Sequence, residues 1–540
     1  MDLKFKKVLS SAVLLMFSAG AFSYVEVRPG SRNLITQTDN PVQISIDISK
    51  KHQKISSFGA SDCWTAQMVG QWPEEKTDAI ADLLFSSELK DSGDPVGIGL
   101  SSWRFNIGAG TAANDKIRDP WRQSSWLFDE SGNEIYLPEF EKETRSRIKG
   151  QRTFLRSARD RGVEEFTAFT ISPPINMTKN GRGFCSKDVG ATNLKDGKTG
   201  EFCDYIVESV KALQKADGVE FDYISPINEP EWDWNGPKQE GCRYNNSQMA
   251  EIAKTLYSKI ENEDSVNAKV LMPESGHLKS FYDWQKSSKK SKGKYVEQFF
   301  DESSDNYAGK ALSGLLCGHS YFLDDPSEGL VDARVKFRKA LDEYPELEYR
   351  HTEYCILGGT EHGFGGGGRD LGITAALFIA RVIHYDLTIV EASGWDWWLG
   401  ISPYDYKDGL VYSTKTIKDG RYNDSKMLWA MGNFSRFIRP GMYRAELKRD
   451  DGVENGKAFH GLMASAYTSS KDKTSAAVFV NYSGNTESVR FEKKGLPEDA
   501  RVVPYITDAA SDLAPCKAGS LEDTFKIPAK SVVTFVIQAE

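Results

Sequence analysis

The chain has 540 residues, of which 39% are hydrophobic, 11% aromatic and 27% charged, a composition typical of folded proteins rather than disordered ones. Its 68 lysines and arginines against 77 aspartates and glutamates give a formal net charge of −9. This charge disfavours a nucleic-acid partner, because phosphate neutralisation requires a basic surplus. At about 150 residues per domain the length suggests roughly three domains, or fewer if one of them is an α/β barrel.

Residues 1–23 predict a cleavable export signal. Lys4, Lys6 and Lys7 precede a short apolar run at 8–17, and a small-x-small cleavage site follows at 21–23. A buried N-terminal helix is the alternative, but these three features in this order favour export. No later stretch approaches 18 consecutive apolar residues, so we expect a secreted or periplasmic protein without a membrane span.

Between residues 51 and 435, short apolar runs alternate with helical patterns. Eight runs have the length of strands, at 54–64, 98–110, 164–174, 221–232, 268–276, 314–322, 347–357 and 389–400. Apolar residues at three- and four-residue spacings predict helices at 77–89, 143–162, 201–216, 247–263 and 369–387. Alternating strands and helices indicate parallel βαβ units, and eight of them favour a closed (β/α)8 TIM barrel over an open doubly wound sheet.

The pattern changes near the C-terminus. Residues 436–540 contain short alternating segments separated by turn signals at 483–485 and 494–497, without a long helix, which predicts a small β-sandwich. Residues 24–50 are also strand-like. We expect this early segment to join the β-sandwich, so that the two ends of the chain meet there.

The cysteines and histidines give no metal or redox motif. The seven cysteines contain no C-x-x-C, and their odd number leaves at least one unpaired. Three of them lie in loop-like sequence and could supply one disulfide bond in an order that the sequence leaves open: Cys185, Cys203 and Cys242. Three others lie in apolar runs and are expected to be buried thiols: Cys63, Cys317 and Cys355. We expect neither a metal nor a cofactor.

Two glutamates follow predicted barrel strands, where catalytic side chains of such barrels lie. Glu229 follows the fourth strand and Glu353 ends the seventh. A single glutamate at such a position would usually be a solvated loop residue. Two carboxylates that face one mouth meet the requirement of glycoside hydrolysis, in which one is protonated and the other ionised.

Three segments carry a resemblance to a known family. SPINEPEWDW (225–234), RHTEYC (350–355) and KMLWAMGNFSRFIRPGM (426–442) resemble glycoside hydrolase family 30. This resemblance implies a catalytic (β/α)8 barrel with an attached β-sandwich. It also implies that Glu229 is the general acid/base and Glu353 the nucleophile.

Three further segments resemble the endo-β-1,6-galactanase members of that family: GASDCW (59–64), WRFNIGAG (103–110) and ISPPINMTKNG (171–181). They imply a retaining endo-glycosidase that cleaves the β-1,6-galactan side chains of arabinogalactan. β-1,6-Glucan, xylan and glucosyl lipids are the alternative substrates within the family. A carbohydrate-binding protein without catalysis is the alternative of a different class, although the presence of both glutamates argues against it. We expect a monomer.

Further candidates for the site lie at the same predicted strand ends. Asn228 would hydrogen-bond the 2-hydroxyl of the sugar. Arg104 would stabilise the ionised Glu353, with a structural ion pair as the alternative, and His319 and Tyr321 could donate hydrogen bonds to Glu353. Glu274 could bind a sugar hydroxyl or be a reserve catalytic residue, and Asp62 is a sugar contact or a loop charge. Aromatic walls for the sugar are expected from Trp64, Trp232, Trp395 and Trp397.

Overall fold

The computed structural model describes residues 26–113, 116–126, 141–286, 288–324, 326–358, 364–471, 474–493 and 495–539. The predicted export signal lies outside these residues. Two strands precede the barrel, β1 (Ile35–Thr36) and β2 (Val42–Lys54).

A ring of parallel strands forms the first and larger part of the structure. Its members are β3 (Ser57–Ser61), β4 (Ser102–Asn106), β5 (Glu165–Phe169), β6 (Tyr223–Ser225), β7 (Lys269–Val270), β8 (Pro273–Ser275), β9 (Leu315–His319), β10 (Glu348–Glu353) and β11 (Gly394–Ser402). Their order is β7-β6-β5-β4-β3-β11-β10-β9-β8. Only two residues separate β7 from β8, so these are two halves of one strand, and the ring is closed. The predicted eight-stranded barrel is confirmed.

Helices surround this ring. They are α1 (Ala66–Val69), α2 (Glu74–Phe85), α3 (Glu141–Asp160), α4 (Thr199–Asp217), α5 (Asn246–Glu261), α6 (Lys279–Tyr282), α7 (Tyr295–Phe300), α8 (Gly309–Leu312), α9 (Arg334–Leu341), α10 (Ile373–Tyr385) and α11 (Lys426–Ser435). Local sequence explains where some of them begin and end. Asn245 and Gln248 form a reciprocal capping box that starts α5. Gly218, at φ 64°, takes the left-handed conformation that ends α4.

The most apolar helix is part of the protein core. The stretch Ile373–Val390, which comprises α10 and a following π-helical turn, has a mean hydropathy of 1.6 and is long enough to cross a membrane. However, 78% of it is buried inside the protein. Its composition therefore fits a helix that is covered on both sides, by the barrel and by the second domain.

Two short strands, β12 (Gly409–Ser413) and β13 (Tyr422–Asp424), extend the barrel sheet beside β11.

The second domain is a separate, single sheet. The second sheet then contains β14 (Tyr443–Arg449), β15 (Leu462–Thr468), β16 (Ser475–Asn481), β17 (Glu487–Phe491), β18 (Arg501–Thr507), β19 (Ala514–Pro515), β20 (Gly519–Ser520), β21 (Thr524–Ile527) and β22 (Ser531–Gln538). Its order is β1-β21-β17-β2-β14-β15-β16-β22-β18-β19, with β20 beside β18.

This sheet folds over on itself into two layers. Phe525 and Phe491, from one half, pack on Phe535 of the other half at ring-centroid distances of 5.0 and 5.2 Å. β2 lies between β14 and β17, so the N-terminal segment contributes a central strand. The outer face packs on α11, where the Asn433 side chain donates hydrogen bonds to Tyr505 O and Thr534 Oγ1 at 3.2 and 3.1 Å.

Candidate active site

The backbone brings three glutamates together at the carboxyl ends of the barrel strands. Glu229 follows β6, Glu274 lies in β8 and Glu353 ends β10. Glu229 and Glu274 have left-handed φ angles of 43° and 54°, which side chains other than glycine rarely adopt. The Glu229 amide donates a hydrogen bond to Glu274 O at 2.8 Å. The two strand ends are thus joined directly, and both conformations are held by their surroundings.

A buried arginine neutralises two of these carboxylates. Arg104, fully enclosed on β4, donates from Nη1 to Glu353 Oε2 and from Nη2 to Glu274 Oε1, both at 3.2 Å. Its guanidinium also lies over the Phe169 ring, 4.3 Å from the centroid. Although burial opposes ionisation, Arg104 and the neighbouring His319 lower the pKa of Glu274 to about 2. Glu274 is therefore ionised and committed to this pairing.

His319, at the end of β9, links the acidic groups. Its Nδ1 is 3.1 Å from Glu229 Oε1 and its Nε2 is 3.1 Å from Glu274 Oε2, while Glu353 Oε1 lies 3.6 Å from Nδ1. Burial alone would lower the pKa of His319, but Glu353, Glu229 and Glu274 together raise it to about 10. At neutral pH the ring is an imidazolium, and both of its nitrogens donate.

The two outer carboxyl groups have different surroundings. Burial raises the pKa of Glu229 to about 7, and the charge and hydrogen bond of His319 oppose this rise. Glu229 is therefore largely protonated just below neutral pH. Glu353 receives hydrogen bonds from Arg104 and from Tyr321, whose hydroxyl lies 2.9 Å from Glu353 Oε1. The site thus pairs a proton donor with a carboxylate held by a cation.

The same groups have the spacing of a metal site. One ligand atom from each of Glu229, His319 and Glu353 lies within 4.8 Å of the others. However, a metal requires a free lone pair on the imidazole, and both nitrogens of the His319 imidazolium carry hydrogens that point at carboxylates. The cluster fits a network of hydrogen bonds better than a ligand set.

Two of the predicted sugar contacts are wrong, because their carboxylates are enclosed and already hydrogen-bonded to other residues of the protein. Glu274 has no exposed surface, and Thr352 Oγ1 donates to it in addition to Arg104 and His319. Glu274 therefore influences the active site only through Arg104, His319 and Thr352. Asp62 is also buried, and its oxygens accept from Asn106 N at 2.9 Å and from Gln151 Nε2 at 2.7 Å. Asp62 therefore joins the ends of β3 and β4 to α3.

The prediction that Trp395 or Trp397 forms a subsite wall is also wrong. Both side chains are fully buried. Trp395 stacks on His351 with a centroid distance of 5.2 Å and an interplanar angle of 5°, and it donates to Asp386. Trp397 donates to Asp408 O at 2.7 Å. Neither ring has a face left for a sugar, because β11 turns them into the packed core.

Other aromatic side chains do reach the mouth. Trp232 is half-buried and packs edge-on against His277 and against Phe322, which is 52% exposed. Gly276 makes this arrangement possible, because a Cβ there would stand 2.4 Å from Trp232 Nε1 and 3.1 Å from Glu229 Oε1. The indole thus lies beside the Glu229 carboxyl. Phe322 was missed at the sequence level, although an aromatic residue directly after Tyr321 at a strand end was the available signal.

Two other predicted contacts lie at the same end of the barrel. Trp64 is 95% buried; it packs edge-on against the half-buried Trp398 at 5.6 Å, and its Nε1 lies 3.4 Å from Glu240 Oε2. Asn228 is buried beside Glu229, and its Oδ1 has no hydrogen-bond partner among the residues that the structure describes. A buried amide oxygen of this kind usually has a partner, so its position suits a ligand hydroxyl.

Comparison with known proteins identifies the family. The sequence profile of O-Glycosyl hydrolase family 30 matches residues 41–412, more than half of the chain. This protein belongs to glycoside hydrolase family 30. The match covers the whole strand ring, so the family 30 barrel and the acidic cluster are parts of the same unit, and the protein is a glycoside hydrolase.

Several family 30 proteins and other relatives are similar to this chain. The glucuronoxylanase XynC of Bacillus subtilis is 22% identical over 394 residues, which are 68% of this chain and 72% of the relative. The crystal structure of a conserved exported protein from Bacteroides fragilis is 29% identical, with a TM-score of 0.82 over 91% of this chain and 99% of the other. An endo-β-1,6-glucanase structure is 16% identical, with a TM-score of 0.60 over 92% and 94% of the two chains.

Proposed function

We propose that this family 30 glycoside hydrolase is an exported, retaining, endo-acting enzyme that cleaves β-1,6-linked galactan. The observation that carries the proposal is the pair of unlike carboxyl groups at the barrel mouth, Glu229 with its raised pKa and Glu353 held by Arg104 and Tyr321. Such a pair supplies the acid and the nucleophile that glycosidic cleavage requires.

The geometry supports distinct roles for the two groups. Glu353 attacks the anomeric carbon, while Glu229 gives its proton to the departing oxygen. Glu229 then removes a proton from the water that hydrolyses the glycosyl-enzyme intermediate. His319 orients Glu229 in both steps, and Asn228 Oδ1 accepts a hydrogen bond from the sugar 2-hydroxyl.

A retaining outcome is supported by the closeness of the two groups. One oxygen of Glu229 and one of Glu353 lie within 4.8 Å of each other. Retaining enzymes hold their carboxyl groups about 5–5.5 Å apart, whereas inverting enzymes leave about 6.5–9.5 Å for a water molecule. This closeness supports a retaining mechanism over an inverting one.

The proposed substrate rests on the three segments that resemble endo-β-1,6-galactanases. The first two continue from within β3 and β4 past their carboxyl ends, and the third follows β5, so all three reach the catalytic end of the barrel. The net charge of −9 suits a neutral polymer better than a strongly anionic one. Trp232 and Phe322 offer apolar surface beside Glu229 for the C–H face of a sugar.

Export is supported by two independent features. Residues 1–23 have the order of charged, apolar and small residues that a signal peptide has. The similar Bacteroides fragilis protein is described as exported. We therefore propose that the mature enzyme acts outside the cytoplasm.

Digestion of a polysaccharide panel tests the substrate. The purified protein is incubated with β-1,6-galactan, de-arabinosylated arabinogalactan, β-1,4-galactan, β-1,6-glucan and glucuronoxylan, and the products are sized. We expect short galacto-oligosaccharides from the first two polymers alone. The Glu353→Gln variant, treated identically, shows whether the cleavage comes from this site. Proton NMR of the first product is expected to show the β-anomer.

Other results would change the proposal in definite ways. Equal or faster cleavage of β-1,6-glucan would make the protein a glucanase, and cleavage of xylan would make it a xylanase; both activities are named among its relatives. Release of monosaccharide alone would indicate exo action. An α-anomer formed first would reject the retaining mechanism.

A further inference from the structure

Two cysteines lie in neighbouring loops at the catalytic end of the barrel. Cys185 is in the loop from β5 to α4, and Cys242 is in the loop from β6 to α5 that also carries Glu229. The backbones of these loops run side by side. Cys185 N donates to Trp234 O at 2.9 Å, and Gly241 N donates to Gly183 O at 2.8 Å.

The two sulfur atoms face each other in a closed space. The Cys185 and Cys242 side chains are in hydrogen-bonding contact, and both are fully buried. Cys242 Sγ also lies 3.5 Å from Thr192 Oγ1 and 3.7 Å from Arg243 O, and it is in hydrogen-bonding contact with the Tyr244 side chain. Cys185 Sγ lies 3.9 Å from Gly241 O.

The contact shifts the pKa values of the two thiols in opposite directions. Burial alone would raise the pKa of Cys242, but hydrogen bonds from neighbouring side chains, that of Cys185 first, lower it to about 6. The same contact, together with burial, raises the pKa of Cys185. In the closed arrangement Cys242 is therefore the more readily ionised thiol of the pair.

We propose that Cys185 and Cys242 form a disulfide bond that links the loop carrying Glu229 to its neighbour when the chain folds in an oxidising compartment. The oxidant is a small-molecule disulfide or an oxidoreductase disulfide. The thiolate of one cysteine attacks one of the oxidant's sulfurs and expels a thiolate, which gives a mixed disulfide. The other cysteine then gives up its proton, attacks the protein sulfur of that mixed disulfide and expels the second thiolate. Two protein thiols are oxidised and one disulfide is reduced to two thiols.

Burial sets when this exchange takes place. Because both sulfurs are enclosed in the folded chain, the oxidant reaches them before the two loops close. The other cysteines serve as internal controls. Cys203 is buried in α4, where its sulfur lies 3.9 Å from Ile252 O, and Cys516 is in the second domain beside Ala514 O. Among the residues that the structure describes, neither has another cysteine as a hydrogen-bond partner.

Peptide mapping tests the proposal. The chain is refolded from the reduced, denatured state with reduced and oxidised glutathione, denatured again without reductant, alkylated and digested with trypsin. Cys185 and Cys242 fall on separate short peptides, GFCSK (183–187) and QEGCR (239–243). We expect these two peptides as one disulfide-linked species, and two fewer alkylated thiols than in a fully reduced sample. The Cys203→Ser variant should keep the linked species, and Cys185→Ser and Cys242→Ser should each lose it.

Thermal unfolding gives a second readout. A reducing agent present throughout refolding should lower the unfolding temperature of the wild-type chain and of Cys203→Ser by several degrees, but not that of Cys185→Ser. Alkylation of all seven cysteines in the glutathione-refolded wild-type chain would overturn the proposal, as would a linkage that involves the Cys203 peptide. These measurements do not depend on hydrolysis, so their failure leaves the proposed function untouched.

Discussion

At the scale of single residues, the charged groups of the active site consist of one enclosed carboxylate, two cations and two outer carboxyl groups. Glu274 is enclosed and ionised, and its charge stabilises Arg104 and the His319 imidazolium. These two cations then face the outer carboxyl groups, Glu229 and Glu353. An uncompensated charge in this position would be costly, because these side chains are buried. The enclosed glutamate thus holds both cations in place from inside the barrel.

The catalytic assignment predicts the effect of neutral substitutions. Glu229→Gln should reduce kcat/KM by about 10²–10⁴-fold, because general acid catalysis contributes that much, and Glu353→Gln should remove measurable turnover. The unfolding temperature of Glu229→Gln should change little, since glutamine keeps an acceptor for His319. Asp233→Asn is the matched control, because Asp233 is an exposed carboxylate in the same loop. Near wild-type activity in either glutamine variant would contradict the assignment.

The raised pKa of Glu229 predicts the alkaline limit of activity. A general acid is active when protonated, so kcat/KM should fall as the pH rises through about 7, where Glu229 loses its proton. The imidazolium of His319, with a pKa of about 10, keeps its charge across this range.

Replacement of His319 tests whether the pKa of Glu229 sets the alkaline limit of activity. The positive charge of His319 lowers the pKa of Glu229, so His319→Gln should move the alkaline limit of kcat/KM to higher pH, whatever it does to the maximal rate. A limit that stays in place, or moves to lower pH, would assign it to a different group.

At the scale of elements, strand β11 shows how sequence position can mislead. Trp395 and Trp397 are expected from the sequence at the end of a barrel strand, where ligand contacts lie, but β11 begins at Gly394 and places both in its first half, in packed surroundings. Of the 9 residues of β11, only Trp398 keeps some exposure. The strand is buried before and after it, so position in the sequence of this strand does not indicate which side chain reaches the surface.

Two alanine substitutions should separate the core tryptophan from the rim tryptophan. Trp395→Ala should reduce the free energy of unfolding by about 3–5 kcal/mol, the usual cost of removing a large buried aromatic side chain. Trp232→Ala should leave stability nearly unchanged and raise KM about two- to tenfold, since an aromatic contact contributes about 0.5–1.5 kcal/mol. Thermal unfolding and initial-rate kinetics measure the two effects. The reverse pattern would place the sugar at β11.

At the scale of the whole molecule, the two domains share structure that the chain order separates. β2, near the N-terminus, is a central strand of the second sheet, and the barrel helices α10 and α11 are covered by that sheet. Asn433 on α11 and Thr534 on β22 exchange hydrogen bonds across this contact. The second sheet therefore shields apolar surface of α10 and α11 from water.

Truncation tests whether the barrel depends on this shielding. A chain of residues 55–435 should be largely insoluble and should lack a cooperative unfolding transition, because the apolar faces of α10 and α11 would be exposed to water. A chain of residues 26–540 is the control, and soluble yield and thermal unfolding by circular dichroism are the measurements. A soluble, cooperatively unfolding barrel fragment would show that the barrel folds alone.

The sequence by itself determined the architecture. Eight apolar runs alternating with helices specify a closed parallel barrel, because each βαβ unit buries its apolar face in only one way. The positions of Glu229, Glu353, Arg104 and His319 at strand ends were also predictable, since parallel strands in a barrel present their carboxyl ends at one mouth. These features depend on periodicity and chain order, which a sequence records directly.

The tertiary structure alone decided which polar and aromatic residues face the sugar. Glu229 follows β6 and Glu274 lies in β8, and both are glutamates, yet Glu274 is enclosed by Arg104, His319 and Thr352 while Glu229 borders the mouth. The direction of a side chain at a strand end depends on local φ and on contacts from distant strands. Which cysteines meet was likewise decided by the folding of two separate loops, because contacts between residues far apart in the chain leave no local periodicity.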